Sequence, residues 1–566
     1  MPSTAPKPPE PDPREQALAR TVGLPELLVR ALMARGLDSP EAVKRHLRPD
    51  LASLHDPFAF RAMPKAVDRI RQALRNGESI LIHGDYDVDG ISGTVLLHKF
   101  FRLVSATSKP FIPDRKDGYS FSRASVDAVK QGGHKLVISV DNGTNAVGPI
   151  AELQQSGIDV IVTDHHGTND NVAAAYAVLN PRLPDAGYPD RDLAGCGVAF
   201  RLATALAGSL SRNLLQSAEF AEFLLDAMGY VALGTVADVA PLRGENRTMV
   251  HHGLRSLAQS RNPGVRALMD AAGLQHRGAD VEDIAFRLAP LINAAGRVGH
   301  GNDAVQLLCA PGLREAQEAA KVLERHNEER RRVERQMQDE ALQLAAKETG
   351  PAVVLGSDQW HPGVLGIVAA RVAEATGKPA LLVAFRGDVG RGSGRCSSGV
   401  NLRDALAACG EHLIAHGGHA AAAGLEVRLD RFEAFKARFQ VACTELTPET
   451  ATVAVDGAAT FAELDPHTIR KLDQLGPFGN GAPRPRFRAD GVRSVGLPSL
   501  DARGFDARLR LVEGGVILPA RVLRGHRRFD ELCRDKGPWT VVFSPRLARS
   551  GEEGPVVLDV HELRPA

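Results

Sequence analysis

Short apolar runs typical of β-strands alternate with helical segments from about residue 65 of this 566-residue chain. The strand-like runs comprise residues 79–82, 136–140, 160–163 and 176–179. Alternation of this kind predicts βαβ units and therefore an α/β fold with a parallel sheet. Because the carboxyl ends of parallel strands meet at one edge of the sheet, we expect the residues that follow these runs to lie close together.

Acidic residues and histidines cluster where these runs end. In chain order they are His83, Asp85, Asp87 and Asp89 around the first turn, Asp141 after the second run, Asp164, His165 and His166 after the third, and Asp238 in a later segment of small residues. Taken alone, the turn 85–90 is explained equally well as a cation site and as a solvated Asp-Gly turn. Convergence of four such segments on one sheet edge is much harder to obtain by chance.

The chemistry of these side chains indicates which cation they would bind. They are carboxylates and imidazoles without a thiolate, a set that suits Mn²⁺ or Mg²⁺ better than structural zinc. Several carboxylates can neutralise two divalent ions, and paired ions about 3.5–4 Å apart serve the hydrolysis of phosphoesters. The sequence therefore predicts a two-metal phosphoesterase site.

Composition and charge exclude several other classes of protein. The six cysteines show no C-x-x-C spacing, which argues against disulfide frameworks and zinc ribbons and favours a reducing compartment. The N-terminus lacks an apolar leader and no apolar run of about 18 residues occurs, so we expect a cytoplasmic protein that does not span a membrane. The net charge of +1 gives no overall sign of a polyanionic partner.

The length allows roughly three or four domains. The expected segments are a disordered tail at 1–20, an α/β domain with a helical preface at 21–312, a long helix at 313–348, a smaller α/β domain at 349–447 and a small β-barrel at 448–566. Between Arg484 and Arg534 the chain carries twelve arginines against six acidic residues. That excess favours a barrel of OB type that follows a phosphate backbone, although an ordinary arginine-rich surface explains it too.

The acidic segments together resemble the DHH phosphoesterase superfamily. They are Asp85-x-Asp87-x-Asp89-Gly, Asp141-Asn142-Gly, Asp164-His165-His166 and Thr235-Val236-Ala237-Asp238. Downstream, the segments 360–369 and 417–424 resemble the associated DHHA1 domain. With the barrel added, the chain from about residue 20 is similar to the RecJ family of bacterial exonucleases, which act on single-stranded DNA in the 5′→3′ direction. The resemblance implies a DHH domain joined by the long helix to a smaller DHHA1 domain, followed by an OB-like barrel.

The resemblance also implies a role for each residue of the site. The metal positions of the family fall on Asp87, Asp89, Asp141, His165 and Asp238, and His83 matches a ligand of the wider superfamily. Two Mn²⁺ or Mg²⁺ ions are implied, with Asp141 between them. Asp85 would support the ligands without binding metal, and Asp164 would orient a histidine. His166 would contact the scissile phosphate or assist proton transfer, and the nucleophile would be water activated by the metals.

Further residues are implied to bind nucleic acid. They are Tyr119, Arg297, Arg391, Ser393, Arg395 and His419. The stretch 390–395 is expected to be a glycine-rich loop whose backbone N–H groups cradle phosphates. Tyr119 would stack on a base. The turn 476–483 departs from the Gly-Asn-Pro form expected in the family, which leaves its role open.

The expected function is that of a processive exonuclease that threads one DNA strand between the two α/β domains. A channel too narrow for a duplex predicts little sequence preference and marked sensitivity to salt. The resemblance implies single-stranded DNA, a single-strand-binding protein and a helicase as partners of a monomer in recombination and mismatch repair. The alternatives are a DHH phosphodiesterase of short oligonucleotides or cyclic dinucleotides and a catalytically silent scaffold that binds a replication partner. The intact set of acids and histidines argues against the scaffold.

Overall fold

The structure is a computed structural model that describes residues 12–566 except 116–119, 169–170, 212–217, 276, 398, 447–453, 503 and 550. The described residues form two compact units. The α/β unit comprises the described parts of 56–238 and 252–446, and the barrel unit comprises those of 12–55, 239–251 and 454–566.

The helices and strands are numbered in chain order. The helices are α1 Pro13–Val22, α2 Glu26–Ala34, α3 Pro40–Leu47, α4 Met63–Asn76, α5 Val88–Leu103, α6 Arg123–Gln131, α7 Val147–Gln155, α8 Gly195–Leu210, α9 Ala218–Ala237, α10 Gly244–Gln259, α11 Pro263–Ala271, α12 Val281–Asp283, α13 Ala289–Val298, α14 Asn302–Leu308, α15 Leu313–Ala345, α16 Leu365–Thr376, α17 Leu402–Ala407, α18 Phe432–Glu445, α19 Pro466–Asp473 and α20 Phe529–Arg534. The strands are β1 Ile80–Gly84, β2 Ser108–Phe111, β3 Leu136–Val140, β4 Asp159–Thr163, β5 Ala177–Leu179, β6 Val353–Ser357, β7 Ala380–Arg386, β8 Val389–Arg395, β9 Leu413–Gly418, β10 Ala422–Arg428, β11 Gly457–Ala458, β12 Phe487–Leu500, β13 Ala507–Glu513, β14 Val516–Val522, β15 Trp539–Leu547 and β16 Val556–Pro565.

The first sheet of the α/β unit is wholly parallel, in the order β2-β1-β3-β4-β5. The four predicted strand-like runs correspond to β1, β3, β4 and β5, so the predicted parallel α/β fold is confirmed. Strands β1 and β3 are buried along their whole length, as expected of parallel strands covered by helices on both faces. Gly84, Val140 and Thr163 are neighbours in register. The residues that follow β1, β3 and β4 therefore leave the sheet side by side.

A long helix connects this sheet to a second, smaller one. Helix α15 has 33 residues and packs against α11, α13 and α14 of the first domain and against α16 of the second, as expected of the predicted connecting helix. The second sheet has the order β6-β7-β8-β10-β9, in which only the β6–β7 pair is parallel. The smaller α/β domain is thus present as a mixed sheet.

The barrel unit contains a closed barrel. Its strands follow the order β12-β13-β14-β16-β15, and β15 pairs back with β12 to close the ring. The predicted OB-like barrel is therefore confirmed. At the start of β13 every second residue is buried. This alternation is typical of a strand that turns one face toward the interior of a small barrel.

The N-terminal helices differ from the expectation. Residues 13–20 were predicted to be disordered, but they lie in α1, where Leu18 and Ala19 are buried. The helical preface was predicted to precede the first α/β domain, whereas α1–α3 share one hydrophobic core with the barrel. Arg30 donates to the carbonyl of Ala458 at 2.6 Å, and Arg35 forms an ion pair with Asp456 at 2.7 Å. Apolar spacing reveals the buried face of a helix but not its partner, which here lies more than 400 residues away in the chain.

One helix of the described chain, α9, is long and apolar enough to cross a membrane by length and composition. About 61% of its most apolar window is buried inside the protein, as in the core helix of a globular domain. The apolar composition of α9 is therefore only weak evidence for a membrane span.

An ion pair in the barrel predicts how its stability depends on pH. Arg546 donates to both carboxylate oxygens of Glu552 at 2.6 Å, and this lowers the pKa of Glu552 to about 2. A depressed carboxyl pKa adds stability above the ordinary value near 4.3, and that stability is lost as the pH falls toward the folded value. Glu552→Gln should lower the free energy of unfolding at pH 7 by about 1–2 kcal/mol.

Urea unfolding between pH 3 and pH 7 measures this effect. The difference between wild type and variant should narrow as the pH falls below about 4.5. The matched control is Glu553→Gln, because Glu553 is the exposed neighbour of Glu552. A difference that stays constant over this range would contradict the assignment.

Candidate metal centre and nucleic-acid interface

The first acidic turn follows β1 directly. Asp85 is almost fully buried, and Asp87 caps α5 by accepting hydrogen bonds from the N–H groups of Asp89 at 2.9 Å and Gly90 at 3.2 Å. A Cβ atom at Gly90 would lie 2.4 Å from the backbone nitrogen of Asp85, so the close approach requires glycine. The turn fixes the three carboxylates at the amino end of α5.

The amino end of α8 holds Asp89 from the other side. The N–H groups of Gly195 and Cys196 donate to the two carboxylate oxygens of Asp89 at 2.7 and 3.0 Å. The positive end of the helix dipole favours such a carboxylate. A Cβ atom at Gly195 would lie 2.7 Å from the Cβ of Asp141, so this glycine also lets Asp141 approach α8.

Asp141 adopts an uncommon backbone conformation at the end of β3. Its φ of 63° lies in the left-handed region, which non-glycine residues seldom occupy. The next residue, Asn142, is fully buried, and its side-chain amide donates to the carbonyl of Val140 at 2.9 Å. The hydroxyl of Ser139 donates to the carbonyl of Asn142 at 2.7 Å. Local strain of this kind persists where the surroundings enforce it, most often at functional sites.

Asp164 organises the turn after β4. Its Oδ1 accepts hydrogen bonds from the backbone N–H of His165 at 2.7 Å, the backbone N–H of His166 at 3.1 Å and the ring Nδ1 of His166 at 2.8 Å. Its Oδ2 accepts from the backbone N–H of Thr144 at 3.0 Å. Asn180 donates to the carbonyl of His166 at 3.0 Å. The position of His166 is thus determined by Asp164 and Asn180 together.

The acidic segments converge as expected. Within the described chain, three groups of side chains could hold an ion: Asp85, Asp87 and Asp141; Asp89, His165 and Asp238; and Asp141, His165 and His166. His165 Nε2 lies 3.1 Å from Asp141 Oδ1 and 3.8 Å from both Asp89 Oδ2 and Asp238 Oδ2. Asp141 and His165 each belong to two groups, so the groups form one continuous cluster.

The cluster is electrostatically unfavourable without a cation. Burial and then the neighbouring carboxylates raise the pKa of Asp85 and Asp141 well above the usual range. The same causes raise the pKa of Asp89 to about 6 and that of Asp238 to about 8. Buried carboxylates that repel one another are what a divalent cation would stabilise.

The two histidines differ in charge. Burial and the neighbouring His166 lower the pKa of His165 to about 3, so this ring is neutral and retains a lone pair for a metal. Neither ring nitrogen of His165 makes a hydrogen bond to another described residue. For His166, burial is outweighed by the hydrogen bond with Asp164, which raises the pKa to about 9. The donor set of carboxylates and one neutral imidazole therefore fits Mn²⁺ or Mg²⁺.

Three residues are placed otherwise than expected. His83, a predicted ligand, belongs to none of the groups found among the described residues. Its Nε2 lies 2.9 Å from the hydroxyl of Ser125, and its ring stacks on Phe121 with 4.2 Å between centroids. Asp85 and His166, predicted to act without binding metal, lie within ligand distance. Successive side chains of a strand point to opposite faces of the sheet, and that of His83 lies on the face that packs against Phe121.

The glycine-rich stretch 390–395 is a strand rather than the predicted loop. Strand β8 pairs with β7 on one side and β10 on the other, so its N–H groups serve the sheet and do not form a phosphate cradle. Cβ atoms at Gly390, Gly392 and Gly394 would come within 2.4–2.9 Å of Val383, Leu425 and Leu381. The alternating glycines let the sheet pack closely, and Arg391, Ser393 and Arg395 occupy the other face.

Arginines gather beside the metal centre. Arg297 donates to the carbonyl of Gly363 at 2.8 Å, and burial together with Arg115, Arg330 and Arg395 lowers its pKa to about 10. Arg395 donates to Ser393 Oγ at 3.1 Å. Guanidinium groups that influence one another in this way suit the binding of an anion such as a phosphate.

The remaining predicted nucleic-acid residues are less closely grouped. Arg391 forms an ion pair with Glu426 at 2.9 Å. His419 is exposed in the turn between β9 and β10, and its proximity contributes to the lowered pKa of His165. Tyr119 lies outside the described residues.

Arg115 and Asn180 were missed by the sequence prediction. Arg115 lies over the ring of Tyr86, 4.7 Å from its centroid, in a stretch without strand or helix periodicity. Asn180 directly follows β5, so the rule that side chains at strand ends converge could have identified it.

Family models match three stretches of the chain. They describe the DHH family N-terminal domain at residues 79–234, the DHHA1 domain at 349–445 and the RecJ OB domain at 455–555. The single-stranded-DNA-specific exonuclease RecJ of Dickeya dadantii is 36% identical over 91% of this chain and 96% of its own length. RecJ of Bacillus subtilis is 34% identical over 85% of this chain, which spans 61% of that relative.

Among solved structures, RecJ of Thermus thermophilus in complex with Mn²⁺ superposes with a TM-score of 0.81 at 30% identity, covering 98% of this chain and 78% of that one. The same protein in complex with Mg²⁺ gives a TM-score of 0.75. With 98% of this chain covered, the similarity includes the parallel sheet, the second sheet and the barrel. The chain therefore belongs to the RecJ family of metal-dependent, single-stranded-DNA-specific exonucleases.

Proposed function

We propose that the chain degrades single-stranded DNA from its 5′ end by two-metal hydrolysis and acts in DNA recombination and repair. The observation that carries this proposal is the overlap of three ligand groups at the carboxyl edge of one parallel sheet, beside a cluster of arginines. Such an edge is the common place for chemistry in α/β proteins.

The ligands divide between two ions. Asp85, Asp87 and Asp141 would hold one, and Asp89, Asp141, His165 and Asp238 the other. Bound ions of this kind supply an activated water and stabilise the charge on the leaving oxygen of a phosphodiester. Asp141 would serve both ions, since it belongs to two of the three ligand groups.

The protein's own groups complete the site. Because Asp164 binds Nδ1 of His166, that ring would use Nε2 to contact the scissile phosphate or to move a proton. Arg297 and Arg395 would bind phosphates of the strand, Arg395 together with Ser393. Tyr119 and His419 remain proposed DNA contacts, and Arg391 would reach the strand only if it left Glu426.

The domain limits, the location in the cell and the partners are proposed from the same function. The domain limits proposed are those expected from the sequence, except that residues 13–47 belong with the barrel rather than with the first α/β domain. The chain would work as a cytoplasmic monomer, supplied with single strands by a helicase and a single-strand-binding protein. Contacts with the phosphate backbone rather than the bases would give little sequence preference and marked salt sensitivity.

Cleavage of end-labelled DNA in Mn²⁺ tests the proposal. A 5′-labelled single strand should release labelled mononucleotide from the earliest times, whereas a 3′-labelled strand should release its label only at the end of its degradation. A blunt duplex of the same sequence should be cut at least about tenfold more slowly, because a narrow channel excludes it. Release of the 3′ label first would contradict the proposed polarity.

The same assay separates the alternatives. A phosphodiesterase of short oligonucleotides or cyclic dinucleotides would cleave these and spare long single strands. A silent scaffold would bind DNA without cleaving any substrate.

A further inference from the structure

A phenylalanine to which the proposed function gives no role is exposed to solvent on the α/β unit. Phe286 is 75% exposed, more than any other large apolar side chain among the described residues of that unit. It belongs to a π-helix, Ile284–Leu288, which joins α12 to α13 with helical backbone angles at both junctions. A π-helix inserts an extra residue into a helix and occurs frequently at functional sites. The exposed ring therefore stands where a binding element is expected.

The backbone that carries this ring is held in place by its neighbours. Arg287 donates to Asp283 Oδ1 at 3.3 Å and to the carbonyl of Ala272 at 2.5 Å. On the inner side of the π-helix, Leu288 is fully buried. Because the segment is already ordered, a ligand that binds to Phe286 would lose little free energy in fixing it.

The exposed side of this helical run is one continuous face. Phe286, Pro290, Asn293 and Arg297 follow one another at intervals of four, three and four residues, and each is at least partly exposed. Nearly all residues between them are buried. Side chains three or four residues apart share one face of a helix. The face therefore connects Phe286 with Arg297, a proposed phosphate ligand.

The Arg297 end of this face lies beside the metal centre. A Cβ atom at Gly296 would lie 2.4 Å from the carbonyl oxygen of Tyr86, whose neighbours in the chain are two aspartates of that centre. Phe286 precedes Arg297 by eleven residues, a distance of about 16 Å at the rise of an α-helix. A single strand lying along the face would cover this distance with a few nucleotides.

We propose that Phe286 stacks on a base of the single-stranded substrate, a few nucleotides from the bond that is cut. Every base has a π-face, so such a contact adds affinity without sequence preference. Single-stranded DNA is the occupant because the face is continuous with Arg297 and because unpaired bases are free to stack on a side chain. The proposal rests on the proposed function and extends its DNA-binding surface along α13.

The KM for release of the 5′ label from a strand of about 20 nucleotides in Mn²⁺ is the first test. Phe286→Ala should raise this KM about five- to hundredfold, the effect of losing one stacked base, and leave kcat within about twofold of wild type. The KM for a dinucleotide should not change, because a dinucleotide is too short to reach the ring. Phe286→Tyr should keep the wild-type KM, whereas Phe286→Leu, which is apolar but has no ring, should behave like Phe286→Ala.

Strands that lack a single base locate the contact. In the wild type, an abasic site should raise the KM when it lies at one or two neighbouring positions of the strand. At these positions Phe286→Ala should add no further increase, since the ring and the base act through the same contact. The matched control is Phe58→Ala, which removes another exposed phenylalanine of the same unit and should leave every KM unchanged.

Several outcomes would overturn the proposal. They are a wild-type KM for the long strand in Phe286→Ala, an equal increase for the dinucleotide, an equal increase in Phe58→Ala, and full rescue by Phe286→Leu. A wild-type protein that cleaves no single strand would instead overturn the proposed function on which this contact depends.

Discussion

Asp141→Asn should abolish nuclease activity, by at least about 10³-fold, while making the metal-free protein more stable by about 1–3 kcal/mol. Activity should fall because Asp141 belongs to two of the three ligand groups, so one substitution disturbs both proposed ions. Asparagine keeps the shape of the side chain but removes the charge that a divalent ion requires.

The gain in stability has two physical causes. Asp141 is buried among four other aspartates that raise its pKa, so loss of its charge relieves repulsion in the absence of metal. Asparagine also adopts the left-handed backbone conformation at 63° more readily than most residues do. A variant that loses activity but gains stability is expected where the arrangement that catalysis requires destabilises the folded protein.

Single-turnover cleavage and thermal unfolding, each with and without Mn²⁺, measure both effects. Mn²⁺ should raise the unfolding temperature of the wild type and leave that of the variant nearly unchanged. The matched control is Asp185→Asn, which changes an exposed aspartate of the same unit and should alter neither quantity. A variant that is inactive but less stable than the wild type would contradict the prediction, because it would show that Asp141 stabilises the folded protein.

Asp164→Asn should lower the rate of cleavage about 10–100-fold while keeping Mn²⁺ affinity within a few-fold of wild type. The two oxygens of Asp164 together accept from four N–H groups. Because the amide of asparagine has one acceptor and one donor, its N–H₂ would face an N–H group in either orientation. The turn after β4 would then loosen and His166 would lose its fixed ring.

Two measurements separate the possible roles of Asp164. The rate constant for cleavage at saturating Mn²⁺ reports on the orientation of His166, and the dissociation constant of Mn²⁺ reports on metal binding. The matched control is Asp159→Asn, since Asp159 begins the same strand at the end remote from the site and pairs with Arg69. An unchanged rate constant for Asp164→Asn would show that the orientation of His166 does not limit cleavage. A large loss of Mn²⁺ affinity would assign Asp164 to the ligand set.

Much of the site was predictable because it depends on local features. The apolar runs before Asp85, Asp141 and Asp164 predicted parallel strands, and strand register then required these residues to be neighbours. Asp238 was predicted from its small-residue segment and the family resemblance, although it follows a helix rather than a strand.

Other predictions failed where the same local pattern suits more than one environment. Alternating glycines at 390–394 are compatible with a loop and with a tightly packed strand, and only pairing with β7 and β10 decided between them. His83 and Asp85 lie two residues apart near the same turn, yet the structure places one against Phe121 and the other in the cluster.

The sequence alone determined the strands of the first sheet from β1 to β5 other than β2, and the side chains that stand at their ends, because strand periodicity and turn residues act over a few positions. The tertiary structure decided which of these side chains meet. The N-terminal helices pack on the barrel, the arginines 115, 297, 330 and 395 gather in one place, and α13 packs against the acidic turn at Tyr86. Such contacts join residues far apart in the chain, and their free energies depend on burial and charge that exist only once the chain has folded.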